Sequence, residues 1–156
     1  MGRVAVTTVA IALGSNLGDR RANLQHAVDR LSAHLENIRV STFIESDPVG
    51  VFEPQPTYLN GALVGDTRLT ARELLTELLA IEREQGRVRV TPKAARTLDL
   101  DLILYGDLVV SEEGLEVPHP RFRERAFVLD PLKETAPDLI DPVSRKRIRD
   151  IVITGR

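Results

Sequence analysis

The 156-residue chain has no cysteine, which excludes disulfides and thiolate metal sites and fits a reducing, cytoplasmic setting. Aromatic residues are only 4% of it, too few for the stacking platform that a single-stranded RNA reader lays across its sheet. No charge of one sign dominates. The formal net charge is −2, so there is no global basic field to gather nucleic acid. Long apolar runs are missing too. The N-terminal run within residues 1–12 is too short to span a bilayer and leads into Gly14-Ser15-Asn16 rather than a small-residue cleavage site. It reads as a first strand, not as a signal peptide or membrane anchor. No internal repeat, low-complexity tract or linker interrupts the chain. The glycine-bearing stretch 14–19 lacks the Gly-Lys-Ser/Thr ending of a Walker loop and reads as a strand-to-helix turn with Asp19 as the cap.

What remains is ordinary in bulk, with 42% hydrophobic and 28% charged residues, and long enough for one domain with its own core. Residues 1–156 are therefore expected to form a single domain. Residues 4–13 are rich in β-branched side chains and form the first strand. Leu24, Val28, Leu31 and Leu35 recur at helical spacing behind Asp19, and Asn37 marks the exit of that helix. Residues 38–44 and 58–64 read as strands, separated by a loop that holds Pro48, Gly50, Pro54 and Pro56. Thr70 and Glu73 form a capping box that opens a second helix with Leu74, Leu75, Leu78, Leu79 and Ile81 on its apolar side, and Gly86 closes it. A strand over 98–105 and a short strand over 108–110 follow. The order strand, helix, strand, strand, helix, strand predicts an α+β, ferredoxin-like βαββαβ sandwich. The last third holds Pro118, Pro120, Pro131, Pro137 and Pro142 and a late helical segment over 144–152; it is expected to wrap the sandwich as a C-terminal extension.

The densest chemistry lies in residues 87–105. Leu98, Leu100, Leu102 and Leu104 alternate with Asp99, Asp101, Ile103 and Tyr105, so the leucines face the core and two carboxylates stand side by side on the other, exposed face. Arg87, Arg89, Lys93 and Arg96 come just before them. Carboxylates that collect a hard cation, beside arginines that clamp anionic oxygens, suit a Mg²⁺-polyphosphate. The same Asp-x-Asp by itself also fits a half-buried strand with a solvated acidic edge.

Three further places carry candidate chemistry. Glu82 and Arg87 flank the exit of the second helix, where Glu82 either reaches a ligand or solvates the helix end. Residues 118–127 bring His119, Arg121, Arg123 and Arg125 together with Phe122 and Phe127, either as a basic surface turn or as a second phosphate-contacting wall. Tyr58 and Asn60 share one strand face, where a flat heterocycle could stack on the ring and be read by the amide; an ordinary cross-strand aromatic is the plainer reading.

Taken in order, Gly14-Ser-Asn-Leu-Gly, Asp47-Pro48-Val49-Gly50, Tyr58-Leu-Asn60, Ile81-Glu82 with Gly86-Arg87-Val-Arg89, Arg96-Thr-Leu-Asp99-Leu-Asp101, and Val117-Pro-His119 with Arg125-Ala-Phe127 resemble the 6-hydroxymethyl-7,8-dihydropterin pyrophosphokinase family of folate biosynthesis. The resemblance covers nearly the whole chain. It implies transfer of pyrophosphate from ATP to the pterin hydroxymethyl group, giving AMP. It implies that Asp99 and Asp101 hold two Mg²⁺ ions, and that Glu82, Arg87, Arg89, Arg96, His119 and Arg125 bind ATP. Arg87, Arg96, Asp101 and His119 are the implied catalytic residues, with Asp101 nearest the attacking hydroxyl. Tyr58 and Phe127 are implied to sandwich the pterin, and Asn60 with Asp47, Pro48 and Val49 to read its edge. Small-molecule substrates, with other folate-pathway enzymes as possible neighbours and no nucleic acid or membrane, complete the implied partners.

Two departures stand out. Many family members carry Trp-Gly-Pro before the arginine that matches Arg96, where this chain has Lys93-Ala94-Ala95, and a position that is polar in some relatives is Leu79 here. Residues 87–96 are expected to be mobile without nucleotide and to close over the triphosphate. A ferredoxin-like RNA-binding module and a small-molecule regulatory domain of the same architecture are the alternatives, and neither needs paired carboxylates facing arginines.

Overall fold

In the computed structural model, which describes residues 5–47, 57–85 and 98–153, an antiparallel sheet is packed between helices. The elements run β1 (Thr7–Ser15), α1 (Arg20–Leu31), β2 (Leu35–Val40), β3 (Ile44–Ser46), β4 (Tyr58–Thr67), α2 (Ala71–Glu84), β5 (Asp99–Tyr105), β6 (Val110–Glu112), β7 (Leu115–Val117) and α3 (Ala126–Thr135). The main sheet has the order β2-β4-β1-β5, with β3 also paired to β4; β6 and β7 form a separate hairpin. Every pairing among these strands is antiparallel. None of the described helices is long and apolar enough to cross a membrane.

Alternation divides the sheet into two apolar clusters. Val9, Ile11, Leu13, Leu59, Leu63, Leu98, Leu100 and Leu102 meet Leu24, Ala27 and Leu31 of α1 and Leu74, Leu78 and Ile81 of α2. Full burial of each leucine or isoleucine contributes about 1.5–3 kcal/mol. On the reverse face Ala10, Ala12, Ala62, Val64, Ile103 and Leu104 meet Phe122, Val128, Leu129, Leu132, Ala136, Ile148 and Ile151. The caps agree with the sequence. Asp19 accepts the Ala22 N–H at 3.1 Å, and Thr70 and Glu73 exchange hydrogen bonds of 2.8 and 3.1 Å, a device worth about 1 kcal/mol.

Several expectations are corrected. Helix α1 stops at Leu31, and Leu35 belongs to β2 instead. Leu35 is buried in either case, so its spacing could not distinguish the two. Asn37, read as a helix exit, has φ 55° inside β2, beside a shift of register between Glu36 and Arg39. The strand placed over 38–44 is two strands, β2 and β3. The third strand runs on to Thr67, and the short strand over 108–110 begins only at Val110. Leu79 is 44% exposed rather than apolar-side.

The strict alternation of β5 breaks. Ile11 pairs with Leu102 but Ala10 with Leu104, so Ile103 is an extra residue in a bulge. Leu104 thus joins Ile103 on the reverse face, and Tyr105 turns to the helix side, where its hydroxyl donates to the Leu69 carbonyl. Residues 144–152 hold only a 3₁₀ turn, Ile148–Asp150, while the helix of this region is α3. Helix α3 has no side-chain N-cap and carries Pro131 in its interior, which removes the usual sequence signals.

Candidate active site

The site is built where four strands, β3, β4, β1 and β5, contribute to one row of residues on the reverse face. Ile44 pairs with Asn60, Asn60 with Gly14, and Gly14 with Asp99; one step inward, Ala62 pairs with Ala12 and Ala12 with Asp101. Directly paired residues share a face, so the pterin-reading candidates and the carboxylate pair stand on opposite sides of Gly14. From its place before Ser15 and Asn16, Gly14 reads as part of a turn. It lies inside β1, and a Cβ there would meet the Tyr58 ring at 3.5 Å and the Asn60 Oδ1 at 3.7 Å. No spacing rule could have found this role, because it depends on cross-strand register.

Asn60 is 4% exposed, and its amide N–H₂ is committed to the protein, donating to Ser46 Oγ at 2.8 Å and to the Ile44 carbonyl at 3.2 Å. These bonds orient the amide and bring Oδ1 to the Gly14 side, so its capacity toward a ligand is that of an acceptor. Tyr58 is half-buried at the start of β4, and Asp47 is exposed just beyond β3. Arg20 braces this region. Its guanidinium donates to the Thr57 carbonyl at 2.9 Å, the Thr57 hydroxyl at 3.0 Å and Glu45 at 2.7 Å.

Asp99 and Asp101 are half-buried rather than exposed, because the C-terminal third packs on the same face. His119 lies beside them. Its backbone N–H donates to the carbonyl of the bulged Ile103 at 3.0 Å, and the Val117–Pro118 peptide before it is cis. The ring Nδ1 accepts the Arg121 N–H at 3.2 Å. A nitrogen that accepts cannot hold the proton, so the neutral ring carries it on Nε2. Burial, and then the charge of Arg125, hold His119 below the ordinary imidazole value against the opposing pull of Asp99 and Glu116. His119 therefore sits in the field of both the arginine and the aspartate named for the site.

Arg125 precedes α3, with its guanidinium 5.8 Å from the centre of the Phe127 ring, and Phe127 packs on the reverse-face cluster. The three arginines of this stretch do not act alike. Arg123 turns away from the site, makes a two-point pair with the fully buried Asp141 and lies over the Phe122 ring. Burial opposes ionisation of Asp141, but the Arg123 guanidinium, the Ser144 hydroxyl and the Val143 N–H outweigh it and bring the carboxyl from 3.8 to about 2. Arg123 thus anchors the turn that carries Arg125.

Glu82 is 3% exposed and accepts the Leu100 N–H at 2.7 Å. Pro48, Val49, Arg87, Arg89, Lys93 and Arg96, together with Gly86, lie outside the described residues. Among the described residues no three His, Asp or Glu side chains converge as a cage. Two adjacent hard oxygen donors beside a basic wall nevertheless fit Mg²⁺, which keeps several waters and takes its remaining ligands from phosphate.

Comparison with known proteins gives one consistent result. The 7,8-dihydro-6-hydroxymethylpterin-pyrophosphokinase family model matches residues 10–137. A 2-amino-4-hydroxy-6-hydroxymethyldihydropteridine pyrophosphokinase of Synechocystis is 44% identical over 144 residues, covering 91% of this chain and 73% of the relative. Its namesake from Pseudomonas aeruginosa is 44% identical over 142 residues, covering 90% and 87%. In fold, the chain resembles a Plasmodium falciparum HPPK-DHPS crystallised with pterin and p-hydrobenzoate, with a TM-score of 0.72 at 13% identity. That match covers 97% of this chain but only 44% of the solved one. The motifs that line the row from Asn60 to Asp101 lie within the matched residues, and the chain belongs to the 7,8-dihydro-6-hydroxymethylpterin-pyrophosphokinase family.

Proposed function

We propose that this chain transfers pyrophosphate from ATP to the hydroxymethyl oxygen of 6-hydroxymethyl-7,8-dihydropterin across the Gly14 gap, releasing AMP. The observation that carries the reading is the row Asn60–Gly14–Asp99, which separates a heterocycle reader from a carboxylate pair by one residue without a side chain. Tyr58 and Phe127 stack on the pterin ring, while the Asn60 Oδ1 accepts one of its N–H groups and the segment Asp47, Pro48 and Val49 meets the rest of its edge. Asp99 and Asp101 would hold two Mg²⁺ ions, which would offset the phosphate charge and polarise the attacking hydroxyl. The Asp101 carboxylate accepts the proton that the hydroxyl loses as it attacks.

The oxygen attacks the β-phosphorus, the bond from that phosphorus to the α,β-bridging oxygen breaks, and AMP leaves with the bridging oxygen. His119, through Nε2–H, and Arg125 donate to phosphate oxygens from the wall beside β5. Arg87, Arg89 and Arg96, which follow α2 in the chain, complete the nucleotide side, while the buried Glu82 carboxylate is engaged with the Leu100 N–H. Such transfer depends on positioning and charge neutralisation more than on covalent chemistry.

The sheet order and pairing support a ferredoxin-like βαββαβ core, and the apolar contacts of Phe122, α3 and Ile148 support a C-terminal extension wrapped on its reverse face. That arrangement of the described residues supports reading 1–156 as one domain. The fusion in the HPPK-DHPS relatives supports another folate enzyme as a neighbour. Chromatographic detection of AMP formed from ATP and Mg²⁺ tests the function. AMP should appear only when hydroxymethyl-dihydropterin is present, and AMP formation indifferent to the pterin contradicts the proposal.

A further inference from the structure

Strand β5 is the edge of the main sheet: β1 covers one side, and no strand among the described residues covers the other. On that open side the Leu100 N–H donates to a Glu82 carboxylate oxygen at 2.7 Å. Leu100 stands between Asp99 and Asp101. In an antiparallel ladder, successive residues turn their N–H and C=O groups to opposite sides. With Leu100 turned out to α2, Asp99 and Asp101 turn inward to their partners Gly14 and Ala12 on β1.

Glu82 itself lies on the buried stripe of α2 with Leu74, Leu78 and Ile81, where an apolar residue would continue the packing. Burying a carboxylate there is costly unless it is hydrogen-bonded. What it supplies is a charged acceptor, stronger than a neutral one, for an edge N–H that would otherwise be buried without a partner.

We infer that Glu82 is a positioning residue, which holds the Leu100 N–H and thereby fixes the course of β5 where the two carboxylates emerge. The role rests on the reading of Asp99 and Asp101 as Mg²⁺ ligands. Glu82 acts on them from behind the strand, through the backbone. It also lies two residues before the end of α2, just ahead of the segment that carries Arg87, Arg89 and Arg96. One side chain therefore ties the helix leading to the arginines to the strand bearing the carboxylates.

The test compares Glu82→Ala, Glu82→Gln and Asp101→Asn, each below its own unfolding midpoint. Free Mn²⁺ is followed by electron paramagnetic resonance as protein and a non-hydrolysable ATP analogue are titrated, and Leu100 amide exchange is followed by NMR. Glu82→Ala should lose Leu100 protection and bind Mn²⁺ about tenfold more weakly, the usual cost of removing a group that orients a metal ligand. Glu82→Gln keeps an amide oxygen as acceptor and should restore most of both. Wild-type Mn²⁺ affinity in Glu82→Ala overturns the inference. So does a Gln variant as impaired as the Ala variant, since charge and not the acceptor would then be at work. If Glu82→Ala does not fold, Glu82→Gln decides alone: retained affinity and Leu100 protection support the role, and loss of either overturns it. Unchanged Mn²⁺ affinity in Asp101→Asn instead removes the metal reading, and Leu100 exchange then still reports whether Glu82 holds the strand.

Discussion

On the side covered by α1 and α2, strands β1, β4 and β5 present Ile11, Leu13, Leu63, Leu100 and Leu102; the same strands present Ala12, Gly14, Asn60, Ala62, Asp99 and Asp101 on the other. The first set is large, apolar and interlocked with two helices. The second is small or polar along the rows that form the candidate site, and its alanines Ala12 and Ala62 join Ala10, Val64 and Leu104 in the cluster that packs on α3. A single sheet thus separates two tasks. Side-chain volume on one face stabilises the fold, and the small and polar residues on the other carry the proposed site. Stability and reactivity should accordingly respond to different substitutions.

The largest effect on folding belongs to the helix side. Leu78 is fully buried, and Leu78→Ala should lower unfolding free energy by about 2–5 kcal/mol. Below the midpoint its turnover per folded molecule should match the parent, as denaturant unfolding and steady-state kinetics in parallel will show; a matching fall in turnover would break the division between faces. On the site face, Tyr58→Ala and Phe127→Ala should weaken pterin binding, each losing about 0.5–1.5 kcal/mol of stacking beyond the buried area. Binding of an ATP analogue should stay unchanged. Calorimetry that finds equal losses for both ligands would point to a folding defect in place of a stacking site.

A smaller effect sharpens the comparison within the site face, between the groups that act on ligands and those that anchor the C-terminal third. Asp141 titrates at about 2 in the folded chain against an ordinary 3.8. A depressed carboxyl contributes stability that is fully present above its unfolded value and is lost as the pH falls through the folded one. The contribution of Asp141 should therefore persist above a pH of about 4 and disappear between there and about 2. Asp141→Asn should lack that acid-side loss in denaturant titrations across this range. An identical pH profile in the variant would remove Asp141 from the acid response.

The two faces also differed in how far they could be read from sequence. The helix side announced itself by period: Leu24, Leu31, Leu74, Leu78 and Ile81 sit at helical spacing, and Leu98, Leu100 and Leu102 alternate as a strand should. Where period failed, one residue had shifted the register. The bulge at Ile103 sent Leu104 to the opposite face, and Leu35 was equally at home at the end of a helix or the start of a strand. On the site face, Asp99, Asp101, His119 and Asn60 were legible as chemistry, but their neighbours were not. Gly14 between Asn60 and Asp99, Glu82 on the Leu100 N–H and Arg123 on Asp141 are long-range pairings, and no local spacing encodes them. Helix α3 escaped for a local reason, since Pro131 and an uncapped start conceal the spacing of Val128, Leu129 and Leu132.

The division of tasks is tested most directly by measuring turnover and unfolding on the same preparations of Asp99→Ala and Asp101→Ala. Both side chains lie outside the leucine packing, so each variant should unfold close to the parent's midpoint. Each should also lose turnover with Mg²⁺, because removing a ligand forfeits several kcal/mol of charge stabilisation in the transition state, on the order of 10³-fold or more in rate. Near-normal turnover in either variant, or a loss of activity that merely follows a loss of folding, would contradict the account.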